Sequence, residues 1–308
     1  MVEYPSENWR DYALIDSGNG EKLERFGSYI MARPEPKALW TPSLSPEQWD
    51  AKMHTRFTPG AGFGKAGKED VGTWSKAKHM DEQWRIVYPG LQKGLRLDLR
   101  LGLTSFKHVG VFPEQAPNWE FIYRQCSALA ERAKAASAPA PKVLNLFAYT
   151  GGASLAARAA GADVTHLDSV RQVVNWARGN MDNSGMDGIH WVVEDAMKFA
   201  KREERRGHLY DGIILDPPAY GHGPDGERWK LDDCLFEMLR TVSHILKPKD
   251  SFLVLNLYSN GYSALLGETI VREAFGLKGD YKLESGELAL RDGFGKNLPL
   301  SIVVRLVR

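Results

Sequence analysis

Apolar residues recur along this chain in two rhythms, and one gives way to the other about a third of the way along. Leu95, Leu97, Leu99 and Leu101 alternate with Arg96, Asp98 and Arg100. A period of two sends successive side chains to opposite faces, so residues 84–107 predict one half-buried strand. Earlier, the runs 12–15 and 28–31 flank a polar turn, Asp16-Ser17-Gly18-Asn19-Gly20, which predicts a hairpin or small meander. Gly60, Gly62, Gly64 and Gly67 predict an irregular loop, with no preceding strand at phosphate-loop spacing. Then the period lengthens: Trp119, Ile122, Tyr123, Cys126, Leu129, Ala130 and Ala133 share one face of a helix.

Beyond a loop at 136–141, strands and helices alternate strictly. Apolar runs at 143–148, 164–167, 190–193, 213–215 and 252–257 predict five strands, and the stripe Leu231, Leu235, Met238, Leu239, Val242, Ile245 and Leu246 marks one intervening helix. Such alternation builds a doubly wound α/β fold with a mainly parallel sheet. Two final runs, 281–290 and 300–307, leave no room for a crossover helix and predict an antiparallel C-terminal hairpin at the sheet edge. The expected division is a β-rich N-terminal substrate-recognition region, 1–115, followed by an α/β domain, 116–308.

Composition narrows the class. No apolar run reaches membrane-spanning length and no secretory leader opens the sequence, which predicts a cytoplasmic protein. Two cysteines, Cys126 and Cys234, exclude a disulfide framework and a multi-cysteine metal site, and their apolar helical settings predict core filling. No metal is expected. A net charge of +1 means that contact with nucleic acid must come from a local patch. Lys65, Lys68, Lys76, Lys78, His79 and Arg85, interleaved with Trp74 and Trp84, form the candidate. A solvated surface over two core tryptophans is the competing reading. The cluster 201–206 compensates its own charge and reads as a helix face.

Ligands in open α/β sheets bind beyond the carboxyl ends of the strands, and four strand ends here carry polar chemistry. Tyr149, Thr150, Gly151 and Gly152 follow the first; the glycines admit close backbone approach, and the next helix offers N–H groups to a carboxylate. Alone this is also an ordinary turn. Asp168 ends the second strand, where it suits two ribose hydroxyls, while Ser169 is placed to cap the helix. Asp195, with Ala196, follows the third and suits an adenine amine and ring nitrogen. Asp216-Pro217-Pro218-Ala219-Tyr220 ends the fourth. A nicotinamide dinucleotide explains Asp168 but neither Asp195 nor the Asp-Pro-Pro turn, and the G-x-G-x-x-G spacing is missing. The set points to S-adenosylmethionine (SAM), with Asp216 on both the cofactor and the acceptor side.

The stretches 108–115, 144–152, 165–168, 194–196 and 215–220 resemble the class I, Rossmann-like RNA methyltransferases related to bacterial 23S ribosomal RNA cytosine-5 and guanine methyltransferases. The resemblance implies that Phe112 and Gln115 close over SAM and that RNA is the partner. It does not extend to a separate PUA-type domain. Cytosine-5 transfer needs a thiolate to attack carbon 6, and the family's cysteine position falls at about Ser259. Methylation of a base nitrogen or another heteroatom is therefore expected, with Asp216 and the Pro217 carbonyl orienting the acceptor beside Pro218, and Tyr220 either stacking on it or packing. Residues 221–230 predict a flexible lid, with Arg228 and Lys230 available to phosphates and His222 as a candidate base or mere surface. Other readings remain: a small-molecule or protein methyltransferase, a SAM-binding RNA or assembly factor without turnover, and a nicotinamide enzyme.

Overall fold

The computed structural model describes residues 1–62, 71–258 and 261–308. A two-residue strand, β1 (Val2–Glu3), precedes the antiparallel meander β2 (Tyr12–Gly18), β3 (Glu21–Phe26) and β4 (Tyr29–Pro34). Helix α1 (Pro46–Lys52) leads into β5 (Thr55–Pro59) and β6 (Gly72–Lys76), completing a five-stranded sheet in the order β2-β3-β4-β5-β6. The expected meander is present, with β3 as its centre. That strand reads Glu-Lys-Leu-Glu-Arg-Phe and hides its alternation, because its buried positions include Lys22 and Glu24, which are paired inside the fold. Gly64 and Gly67 of the glycine-rich segment lie outside the described residues.

Residues 84–107 are two strands rather than one. β7 (Gln83–Tyr88) and β8 (Leu97–Gly102) form an antiparallel hairpin. The reversal passes through Gly90 at φ +64°, where a Cβ would stand 2.2 Å from the Leu95 carbonyl oxygen. Pro89-Gly90 is the turn signal that the leucine alternation overshadowed.

The remaining elements are α2 (Ala116–Ala135), β9 (Lys142–Leu146), α3 (Gly152–Ala159), β10 (Asp163–Asp168), α4 (Arg171–Asn183), β11 (Ile189–Val193), α5 (Ala196–Arg206), β12 (Gly212–Leu215), β13 (Tyr220–His222), β14 (Arg228–Lys230), α6 (Leu231–Ile245), β15 (Phe252–Leu257), α7 (Ala264–Phe275), β16 (Lys282–Arg291) and β17 (Asn297–Val307). The large sheet runs β1-β16-β17-β15-β12-β9-β10-β11. Strands β9 to β12 and β15 pair in parallel, and β16–β17 is the expected antiparallel hairpin. β1 covers the hairpin's outer strand and so occupies the edge place itself. Strand order reverses between β9 and β12, which opens the crevice used for ligands in such sheets.

Alternation along the central strands feeds two cores. Val143, Ile214 and Val254 join Ile122 and Cys126 on one face; Leu144, Ile213 and Leu253 join Phe199, Met238 and Leu239 on the other. The first core continues into the N-terminal third through Trp9, Tyr88 and Trp119, whose rings meet edge to face at 4.9–5.9 Å. Aromatic contacts of this kind add about 0.5–1.5 kcal/mol each beyond area burial. Among the described residues, no helix is long and apolar enough to cross a membrane.

Candidate active site

The loop after β9 is held in a conformation that side chains rarely adopt. Phe147 and Tyr149 have φ of +58° and +49°, and Gly151 has φ of +92° at the N-terminus of α3. Non-glycine residues in this region cost about 1–3 kcal/mol each and persist only where the surroundings over-determine them. Here the Ala148 N–H donates to the Leu167 carbonyl at 3.0 Å and the Tyr149 N–H to Oδ2 of Asp168 at 2.9 Å. Thr150 Oγ1 donates to the Gly110 carbonyl at 2.7 Å, and Asn180 Nδ2 donates to the Thr150 carbonyl at 2.9 Å. Gly152 has a packing reason as well, since a Cβ there would stand 2.8 Å from the Trp119 indole.

Asp168, Ser169, Asp195 and Ala196 line a cavity of about 310 Å³ with Phe147, His222 and Trp229. Asp168 accepts from the backbone N–H groups of Tyr149 at 2.9 Å and Val170 at 3.0 Å. Burial raises its pKa, against the pull of the backbone hydrogen bonds from Val170, Tyr149 and Ser169. Ser169 does not cap α4: Val170 is the N-cap residue and no side chain bonds there. Asp168 is therefore engaged locally, yet each carboxylate oxygen accepts two bonds, which leaves capacity for hydroxyls. Asp195 uses Oδ1 to cap α5 from the Lys198 N–H at 2.8 Å, leaving Oδ2 for a ligand.

A second cavity of about 580 Å³, sharing Phe147 with the first, gathers Phe112, Gln115, Tyr149, Thr150, Gly151, Gly152 and Asp216. Asp216 accepts from Asn256 Nδ2 at 2.7 Å. Burial pushes its pKa up to about 7, the Asn256 hydrogen bond opposes that rise, and the nearby Glu114 adds to it. Phe112 stands 5.3 Å, centroid to centroid, from both Tyr149 and Tyr258. Gln115 Nε2 donates to the Tyr258 hydroxyl at 3.1 Å, and that hydroxyl donates to Oε1 of Glu114 at 3.1 Å.

The rest of the Asp-Pro-Pro turn is placed differently. Pro217 is buried, and the Pro218 carbonyl accepts from Trp229 Nε1 at 2.7 Å. Tyr220 lines neither cavity and is 43% exposed on β13. Residues 221–230 are largely an antiparallel hairpin, β13–β14, rather than a loose lid. Trp229 anchors it on Phe147, ring centroids 4.7 Å apart, and Lys198 pairs with Asp225 at 3.0 Å. Lys230 pairs with Asp233 at 3.0 Å. His222 is exposed at the rim of the smaller cavity.

The tryptophans of the candidate basic patch serve packing. Trp84 is 9% exposed in the core, and Trp74 stacks edge to face on Phe57 at 5.1 Å. Lys76 pairs with Glu82 at 3.6 Å and Arg85 with Asp98 at 3.5 Å, Lys78 donates to the Ala51 carbonyl, and Lys65 and Lys68 lie outside the described residues. Sequence reasoning missed Asn256, Tyr258, Glu114 and Trp229. Asn256 left one trace, a polar residue inside the apolar run Phe-Leu-Val-Leu-Asn-Leu.

The donor set fits SAM. Carboxylates of Asp168 and Asp195 border the smaller cavity for an adenosine, and the start of α3 borders the larger one for an amino-acid carboxylate. The model of an S-adenosylmethionine-dependent methyltransferase family matches residues 69–289. The crystal structure of a SAM-dependent methyltransferase from Agrobacterium tumefaciens is 39% identical, covers 99% of this chain and 92% of its own, and superposes with a TM-score of 0.85. A Streptococcus mutans chain shares the fold at 17% identity and a TM-score of 0.70, over 97% of this chain and 76% of that one. Among curated relatives, a ribosomal RNA large subunit methyltransferase K/L from Shewanella frigidimarina is 28% identical over 51% of this chain and 21% of its own length. A ribosomal RNA large subunit methyltransferase I from Klebsiella pneumoniae is 33% identical over 26% of this chain and 20% of its own. The chain thus spans about a fifth of the curated relatives it matches. With the two cavities meeting at Phe147, these matches mean that the chain belongs to the S-adenosylmethionine-dependent methyltransferase family and takes S-adenosylmethionine as its cofactor.

Proposed function

We propose that this protein methylates a nitrogen or other heteroatom of an RNA base, ribosomal RNA being the first candidate, in the cytoplasm. The carrying observation is the juxtaposition, in one cavity, of the Asp216 carboxyl, Gln115, Phe112, Tyr149 and the start of α3. A planar acceptor bearing an N–H suits an aromatic-walled cavity with one carboxyl, and the names of the curated relatives support RNA as its source. Residues 1–115 are taken as the recognition region and 116–308 as the transferase domain, with β1 lying in the larger sheet.

Asp168 and Ser169 are assigned to the ribose, Asp195 and Ala196 to the adenine, and Tyr149 to Gly152 with Phe112 and Gln115 to the methionine portion. Bound SAM supplies an activated methyl group. The chain's task is alignment and electrostatics: Asp216 with Pro217 and Pro218 orients the acceptor, and Tyr220, exposed beside the cavities, is free to stack on it. Both cysteines sit within helices, Cys126 in α2 and Cys234 in α6, which supports a heteroatom rather than a carbon acceptor. Ser259 lies outside the described residues.

The test is incubation with methyl-labelled SAM and RNA from a strain lacking the protein, followed by nucleoside analysis. Labelled base nucleosides are expected. The engaged cations and packed tryptophans of the N-terminal face favour a second reading, a small-molecule or protein acceptor. Label in those fractions alone would establish it, and label nowhere would indicate a SAM-holding factor. Asp168→Ala should weaken SAM binding by about 1–3 kcal/mol in titration calorimetry, the cost of leaving buried polar groups unpaired.

A further inference from the structure

Asn256 is 1% exposed, and every described side chain beside it along β15 is apolar. A buried amide is tolerated only when its donors and acceptor are satisfied. Its Nδ2 donates to Oδ1 of Asp216 at 2.7 Å, and its Oδ1 accepts from the Ser301 hydroxyl at 3.0 Å. Ser301 is itself 3% exposed, on the neighbouring strand β17. The chain of bonds therefore runs from β17 through β15 to the end of β12, at the crevice. Asp216 also lines the larger cavity. With Oδ1 committed to Asn256, Oδ2 is the oxygen left for a ligand.

We propose that Asn256 and Ser301 are positioning residues for methyl transfer, pinning one oxygen of Asp216 inside the fold so that the other takes the proton of the acceptor. This rests on the reading of Asp216 as the acceptor-side group. The acceptor nitrogen forms its bond to the methyl carbon as the carbon–sulfur bond breaks, and that bonding pair stays on sulfur as a thioether. The N–H proton of the acceptor goes to Oδ2 of Asp216, and later to water. A serine–asparagine chain suits this cycle, because a hydroxyl and an amide each donate one way and accept the other.

The surroundings explain why such a chain is needed. Among the described residues, the titratable groups that bear on Asp216 are Glu114, which raises its proton affinity, and Tyr258. Neither carries a positive charge. Burial is the leading cause that favours the neutral acid, and the Asn256 donor opposes it. Removing that donor should leave Asp216 protonated over a wider range of pH.

The test compares full-length wild type, Asn256→Leu and Ser301→Ala. The Asp216 carboxyl is followed by carbon-13 NMR, its resonance assigned with Asp216→Asn. The wild-type midpoint is expected near pH 7. Asn256→Leu should move it upward by about one pH unit, the equivalent of losing one hydrogen bond to a charged group. Ser301→Ala should move it the same way by less. SAM affinity should change less than about threefold, while transfer at pH 7 falls about fivefold and recovers as the pH is raised. A merely structural role would lower the melting temperature and leave the midpoint in place. Coincident midpoints in wild type and Asn256→Leu, with SAM still bound by both, would overturn the inference. If Asn256→Leu does not fold, Ser301→Ala carries the same test. Absence of label from RNA, with the midpoint displaced as expected, would sink the RNA reading and leave this one standing.

Discussion

Asp216 illustrates a conflict between stability and chemistry at the level of one side chain. An unfolded aspartate titrates near 3.9, whereas this one is pushed up to about 7, first by burial. Below about pH 4 both states hold the proton and nothing is lost. As the pH rises to 7 the unfolded chain releases its proton while the native state keeps it, so folding becomes less favourable. Above 7 the penalty is constant at up to about 4 kcal/mol. Asp216→Asn keeps an acceptor for Asn256 and removes the charge. It should therefore be more stable than wild type at pH 8, with the advantage shrinking toward pH 4.5, read from urea midpoints at the two values. An advantage independent of pH would refute the assigned cause. The carboxylates of Asp168, Asp195 and Asp216 were legible in the sequence because a strand end is a local feature. Asn256 was not, because its meaning lies 40 residues away, on a neighbouring strand. Glu114 and Tyr258, 144 residues apart, are a pair only in the folded molecule.

The elements were read best where packing and periodicity agree. The central parallel strands β9, β12 and β15 are buried on both faces and appear as short apolar runs, and α2 and α6 carry clean stripes. The hairpin β13–β14 was read as a loose lid because Gly221, Gly223 and Gly226 dominate its composition. What orders it is tertiary: the Trp229 indole rests on Phe147, its Nε1 donates to the Pro218 carbonyl, and the Leu231 N–H donates to Ala219 at 2.9 Å. Trp229 is 6% exposed, so Trp229→Ala should cost about 3–5 kcal/mol if the whole core feels the cavity. Because the hairpin also walls the smaller cavity, SAM affinity should fall with it. Trp229→Phe keeps most of the apolar area and leaves the Pro218 carbonyl without its donor, a loss of about 0.5–1.5 kcal/mol. Thermal denaturation with and without SAM separates the two. An alanine variant of wild-type stability would mean that the hairpin is not anchored through this ring.

Across the whole molecule, the N-terminal sheet and the large sheet are joined by a buried polar seam as well as by the shared aromatic core. Its centre is Asp16, fully buried at the turn side of β2. It accepts from the Ser17, Ser43 and Leu44 N–H groups, from Trp49 Nε1, and from Lys296 Nζ at 2.9 Å. Lys296 comes from the turn between β16 and β17 and also donates to the Ser17 carbonyl at 3.0 Å and the Ser43 hydroxyl at 2.9 Å. Burial pushes the Asp16 pKa upward, yet the hydrogen bonds from Leu44, Lys296, Trp49 and Ser43 prevail and hold it below the usual carboxylate range. The stabilisation is then complete above about pH 4 and is lost as the pH falls through the lowered native value. Asp16→Asn should cost about 1–3 kcal/mol at pH 7, because it leaves several donors facing an amide, while the Lys296 ammonium keeps the Asp292 carboxylate at 3.4 Å. Lys296→Met should cost less, being 24% exposed at the side chain. Since the two share one contact, the double variant should fall short of the sum by about 0.5–3 kcal/mol. Additive losses would mean that the Asp16–Lys296 pair does not couple the two parts, leaving the join to the apolar core and to bonds such as Ser17 Oγ to Oδ2 of Asp292 at 2.9 Å. The same Asp→Asn exchange thus has opposite signs at the two buried acids: at Asp216 it should become more favourable with rising pH, and at Asp16 more costly.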